Sequence, residues 1–82
     1  MALRLLFLGK LADLAGVGER VLDLSAPLGW DALLDRLEPD LASALGGAKV
    51  RVAQNADMVA DKTALIAADG DEIAFLPPVS GG

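Results

Sequence analysis

Cysteine and histidine are both absent from the 82 residues. Their absence removes disulfides, thiolate nucleophiles, Ser-His and Cys-His pairs, and almost every transition-metal site. Long apolar runs are missing too: none approaches the roughly 20 residues that span a bilayer. The opening MALRLLFLGK is apolar but has neither a basic leading segment nor a small-residue cleavage site. It therefore reads as a strand and not as a signal peptide, and a cytoplasmic location is expected. Positive charge is scarce: seven Lys and Arg face twelve Asp and Glu, for a formal net charge of −5 and a pI near 4.3. Nucleic acid and anionic membrane, which both select basic surfaces, are not expected as partners. A basic protein partner is compatible with this charge, as is an ordinary solvated acidic surface.

What is present is apolar. Hydrophobic residues make up 54% of the chain, too many for a disordered segment. The length bounds it to one domain with one modest core and little room for a private active-site cleft. LRLLFLG (3–9) reads as a strand, with Leu3, Leu5 and Phe7 on one face and Arg4, Leu6 and Leu8 on the other. KLADLAG (10–16) suits a short helix closed by Gly16, GVGE is turn chemistry, and RVLDLSA (20–26) is a second strand forming a hairpin with the first. WDALLDRL (30–37) places Trp30, Leu33, Leu34 and Leu37 on one helical stripe, with Asp31 in the first turn and Pro39 closing the run. DLASAL (40–45) adds a helical turn before Gly46 and Gly47. KVRVAQN (49–55) alternates as a strand: Val50 and Val52 point one way, and Lys49, Arg51 and Ala53 the other. A short extended piece and a tight turn at Asp69-Gly70 precede the last strand, EIAFLP, where Ile73 and Phe75 oppose Glu72, Ala74 and Leu76.

The order β-β-α-β-(short β)-β, with a single amphipathic helix to cover one face, predicts a two-layer α+β domain. The first and last strands are expected side by side in the middle of a mixed sheet. That is a β-grasp, or ubiquitin-like, roll over residues 1–76, followed by an extended C-terminal tail over 77–82. Charged residues are rarely buried, so Arg4, Lys49, Arg51 and Glu72 belong on the face that the helix leaves open. Leu6, Leu8 and Leu76 share that face and are expected to form an exposed apolar docking patch at the root of the tail.

Several candidate motifs carry no chemistry. Asp69, Asp71 and Glu72 lack the ligand spacing of a calcium loop and suit a solvated turn. The glycines at 16 and 18, and at 46 and 47, match neither a Walker loop nor a dinucleotide fingerprint. Nothing near Lys10 or Lys62 in sequence would depress the pKa of a catalytic amine, so both are expected to be surface lysines.

The C-terminus is a more specific combination. Pro77 and Pro78 cannot continue a sheet ladder, and they stiffen the exit from the last strand. Val79 and Ser80 are small, and Gly81 and Gly82 have no side chains. Such an end can thread a narrow tunnel and present an unhindered carboxylate. A carboxylate is a poor electrophile until ATP converts it to an acyl-adenylate. An amine nucleophile then yields a covalent protein tag, and a sulfur donor yields a thiocarboxylate.

GDEIAFLPPVSGG, with LFLGKLADLAG near the N-terminus and VAQNADMV in mid-chain, resembles the small-subunit family of molybdopterin synthase over nearly the whole chain. One departure is Ala12, where the family often has an arginine in the first helix. The resemblance implies that an E1-like enzyme adenylates Gly82 using ATP, and that a sulfur donor protein supplies the thiocarboxylate. It implies further that the tail enters the synthase large subunit and gives sulfur to cyclic pyranopterin monophosphate. It also implies a heterotetramer of two small and two large subunits, with the catalytic lysines on the large subunit. Gly82 would supply the acyl carbon and Gly81 the clearance, while Pro77, Pro78, Val79 and Ser80 join the patch in binding partners. No cofactor or metal is expected on this chain itself. Sulfur carriage for thiamine or tRNA, a ubiquitin-like modifier, and a binding domain with an incidental tail remain alternatives.

Overall fold

The hydrophobic alternation of the strands and the positions of the turn glycines account for most of the architecture. The computed structural model describes residues 1–78. Strand β1 (Ala2–Phe7) is followed by helix α1 (Lys10–Ala15), β2 (Glu19–Asp23), β3 (Leu28–Gly29), α2 (Trp30–Asp35), α3 (Pro39–Leu45), β4 (Arg51–Gln54), β5 (Asp57–Met58), a short 3-10 turn (Lys62–Ala64), β6 (Ile66–Ala67) and β7 (Glu72–Leu76). The main sheet runs β2-β1-β7-β4-β5. Its two central strands, β1 and β7, are parallel, with Leu5 opposite Ile73 and Phe7 opposite Phe75. The neighbouring pairs β1–β2, β4–β7 and β4–β5 are antiparallel. The first and last strands thus lie side by side in the middle of a mixed sheet, as expected.

All the helices cover one face. Leu3, Leu5, Phe7, Val52, Ile73 and Phe75 point into the core, where they meet Leu11 of α1, Trp30 and Leu33 of α2, Leu37, and Leu41 and Leu45 of α3. The Phe7 and Phe75 rings stack at 5.5 Å between centroids, and Trp30 tilts against Phe75 at 6.3 Å. Of the stripe expected from the sequence, Trp30, Leu33 and Leu37 are buried and Leu34 is half-buried.

The cover differs in detail from a single helix. The run at 30–37 stops at Asp35, and Pro39 opens α3 at its first turn instead of only closing what precedes it. Proline suits that position because its missing N–H would have no intrahelical partner there. Gly16 ends α1 in the left-handed conformation at φ 81° and donates its N–H to Ala12 O, the C-terminal role expected of it.

β6 is the short extended piece expected before Asp69-Gly70, whereas β3 and β5 were not anticipated as strands. β5 returns along β4 through a two-residue turn in which Asn55 and Ala56 both have positive φ, 52° and 73°. That is the geometry of a hairpin turn whose twist matches the strands it joins. Asn55 is held by its side chain: Nδ2 donates to Asp71 Oδ1, and Oδ1 accepts from the Glu72 N–H. The β3–β6 ribbon, with Leu28 opposite Ala67, ties the entry of α2 to the approach of β7.

Candidate functional site: the root of the C-terminal tail

Strand β7 delivers the chain to its end, and its neighbours anchor it on both sides. Leu8 N–H donates to Phe75 O at 3.1 Å, just beyond the last β1–β7 register pair. The same parallel offset carries Gly9 alongside Pro77. Gly9 has φ 54° and ψ −130°, and a Cβ there would lie 3.1 Å from Pro77 Cγ. A side chain at 9 would meet both backbone strain and the proline ring. Gly9 is therefore the residue that lets Pro77 seat against the sheet, half-buried, while Pro78 is exposed. In the sequence Gly9 is only the last residue of the strand run LRLLFLG (3–9). The adjacency of β1 and β7 was the signal that could have singled it out.

The open face of the sheet carries the rest of the site. Arg4, Lys49 and Arg51 are exposed and Glu72 is half-buried, all away from the helices. Arg4 bridges two carboxylates, Glu19 at 3.0 Å and Glu72 at 3.2 Å. Towards the tail the face becomes apolar. Leu6, Ala74, Ala53 and Met58 form one row across four strands, each opposite the next in register. Leu8 and Leu76 lie beyond that row, with Arg51 opposite Leu76. The structure brings Leu6, Leu8 and Leu76 to one face. Leu8 is the exposed member at 44%, while Leu6 and Leu76 are half-buried between strand neighbours. Met58, 54% exposed, extends the patch beyond the three leucines. It was missed because a two-residue strand has no period to read. Val79, Ser80, Gly81 and Gly82 lie outside the described residues.

The other candidates have structural work. Asp69 Oδ1 accepts from Ala2 N–H at 2.7 Å, closing the turn onto the first strand. Asp71 accepts from Asn55 Nδ2, Gln54 Nε2 and Ala68 N–H, and these donors, Asn55 first, hold its carboxyl below the usual aspartate value. The acidic run is thus a joint between three segments. Lys62 is corrected: it is not an ordinary surface lysine. Its ammonium donates to the carbonyls of Leu45, Gly47 and Val50, the first at 3.0 Å and the last at 2.8 Å, and lies 5.7 Å from the Trp30 ring centroid. Burial lowers its pKa. It neutralises the carbonyl end of α3 and occupies the Val50 carbonyl on the side of β4 that faces β5. A lysine so placed blunts an otherwise open strand edge.

Among the described residues no group of three or more acidic side chains is arranged to hold a metal ion, and no helix is long and apolar enough to cross a membrane. The site is a stiff, centrally anchored exit flanked by an apolar face.

Comparison with known proteins is consistent with that geometry. Residues 5–82 match the model of the ThiS family. The chain is 33% identical, over the full length of both, to the molybdopterin synthase sulfur carrier subunit of Chlamydomonas reinhardtii. Its structure superposes on that of the small archaeal modifier protein SAMP1 of Haloferax volcanii with a TM-score of 0.75 and 29% identity, covering all of both chains. It also resembles a chain from the complex of subunits 1 and 2 of the molybdopterin-converting factor of Helicobacter pylori, with a TM-score of 0.62, 26% identity and full coverage of both. The fold is the ubiquitin-like β-grasp that the order of elements predicts.

Proposed function

The chain belongs to the ThiS family, and from that premise we propose that it is the sulfur carrier subunit of a molybdopterin synthase. The Gly82 carboxylate attacks the α-phosphate of ATP on an E1-like enzyme and pyrophosphate leaves. The outer sulfur of a donor protein's persulfide then displaces AMP to give an acyl disulfide. A second thiol cleaves that S–S bond, forming a disulfide with the donor's sulfur and leaving a thiocarboxylate. That anionic sulfur is a good nucleophile near neutral pH. It enters the large subunit and is transferred to cyclic pyranopterin monophosphate, two transfers building one dithiolene. The working assembly is a cytoplasmic heterotetramer of two small and two large subunits. Catalytic groups come from the large subunit, and this chain contributes the sulfur, its reach and its docking. The Leu6, Leu8 and Leu76 face, with Pro77 to Ser80, meets both the large subunit and the activating enzyme.

The observation that carries this reading is the PPVSGG end joined directly to a central strand. Proline stiffens the exit and diglycine gives clearance. The likeness to a sulfur carrier subunit in Chlamydomonas reinhardtii and to a subunit found in complex in Helicobacter pylori supports it. A second reading, a ubiquitin-like modifier that forms isopeptide bonds, is favoured by the likeness to the small archaeal modifier protein. Sulfur carriage to thiamine or tRNA uses the same activated end and differs only in the acceptor.

Intact mass after incubation with the activating enzyme, ATP and a sulfur source separates these readings. Exchange of one oxygen for sulfur supports a carrier, ladders of conjugates support a modifier, and an unchanged mass overturns both. Deletion of Gly82 is expected to abolish sulfur transfer without lowering the melting temperature. A deletion variant that still transfers sulfur would sink the carrier reading. Gly81→Ala is expected to slow activation or transfer by crowding the channel.

A further inference from the structure

Beside Pro78 the surface opens into a groove of about 700 Å³ between the start of β4 and the segment at residues 59–63. Lys49, Arg51 and Lys62 line it, with Asp61 as the single acid. These four residues leave two positive charges in the groove, so the −5 of the whole chain leaves −7 elsewhere. Asp61 is occupied, since its Oδ1 accepts from both the backbone N–H and the hydroxyl of Thr63. Lys62 is occupied by its three carbonyls. Arg4 and Arg20, by contrast with Lys49 and Arg51, are engaged by glutamates. Lys49 and Arg51 are exposed and have no carboxylate partner among the described residues.

The groove does not offer a strand edge for backbone pairing. Val50 O accepts from Lys62, and Val52 O accepts from Val59 N–H. Recognition there falls to the side chains: a guanidinium that can grip a carboxylate through two N–H groups and an ammonium two residues away. Valines 50, 52 and 59 provide apolar wall between them.

We propose that this groove takes an acidic segment of the protein that receives the tail, with carboxylates on Lys49 and Arg51. The proposal rests on the carrier reading above and adds to it a second contact, of opposite character to the apolar patch. The acidic remainder of the surface carries −7 and repels such a partner, while the groove attracts it. Attraction at the groove beside Pro78 orients the encounter toward that end of the sheet. Complementary charge of this kind acts chiefly on the association rate and is screened by salt.

The test uses the full-length carrier and the purified large subunit of molybdopterin synthase from the same organism, with association followed by stopped-flow at low and high ionic strength. Lys49→Glu/Arg51→Glu is expected to slow association by about tenfold or more at low salt, and Lys49→Gln/Arg51→Gln by less. The difference from wild type should shrink as salt rises. Melting curves of all three proteins check that the fold is retained, as the exposure of both side chains predicts. Association within about twofold of wild type, with the same salt slope, overturns the groove while leaving the carrier reading intact. Failure of wild type itself to bind the large subunit overturns the carrier reading, and the groove proposal falls with it.

Discussion

Two faces of one strand divide the labour of this protein. On β7, Ile73 and Phe75 are fully buried, while Glu72, Ala74 and Leu76, each one residue away, are half-buried on the opposite side. The same alternation runs along β1, where Leu3, Leu5 and Phe7 oppose Arg4 and Leu6. A strand turns successive side chains to opposite faces, so a sheet covered by helices on one side has a core face and a free face built from the same residues. The core face holds stability, through stacked aromatics and close-packed leucines. The free face has no helix over it, and its charges and small apolar residues can change without opening the core. The C-terminal tail begins where both faces end, at a strand held on either side by neighbours.

The comparison breaks most visibly if the core face is attacked. Phe75→Ala removes a fully buried ring that touches both Phe7 and Trp30, and a loss of about 3–5 kcal/mol is expected. In a domain of this size that approaches the entire folding free energy. Thermal or urea unfolding measures it, and an unchanged midpoint would mean that β7 does not bury this face. One residue further on, Leu76→Asp is expected to behave in the opposite way. The half-buried position accepts a carboxylate next to Arg51, so stability should change by no more than about 1 kcal/mol, while binding to the large subunit and to the activating enzyme weakens. Calorimetry with each partner decides it. Loss with only one partner would show that the two read different parts of the free face.

The smallest expected effect lies at the joint below the strand. Asp71 has its folded-state pKa held below the ordinary 3.8 by donors from Asn55, Ala68 and Gln54. A depressed folded pKa contributes stability that is fully present above the unfolded value and is lost as pH falls through the folded one. Asp71→Asn should therefore flatten the acid side of the stability profile below about pH 4. Urea midpoints measured through that range test this. Parallel acid limbs in the two proteins would show that the carboxylate does not hold the Asn55 turn.

Much of the fold could be read from pattern. Period-two alternation identified β1, β4 and β7 and sorted their residues correctly between core and free face, because a one-residue slip would have buried Arg4 or Arg51. Gly16 and Asp69-Gly70 marked real turns, since Gly16 and Gly70 adopt positive φ. The apolar stripe from Trp30 to Leu37 marked the core side of α2 correctly although the helix proved shorter. The pieces that escaped notice are too short to show a period or have partners remote in sequence. β3 and β5 have two residues each, too few to show any period. Lys62 looked like a solvated lysine because the carbonyls it binds lie 12 to 17 residues away.

By itself, then, the sequence determined the proline- and glycine-rich make-up of the PPVSGG segment and the binary pattern that selects a helix-covered mixed sheet. These are local properties: side-chain size, backbone freedom at proline and glycine, and the direction of alternate residues. Only the tertiary structure decided which distant groups meet. It placed Gly9 under Pro77 through the parallel register of β1 and β7, closed the edge of β4 with Lys62, and gathered Lys49 and Arg51 beside the tail on a chain that is acidic almost everywhere else. Those outcomes depend on register and chain crossing, and neither is written in any single stretch of residues.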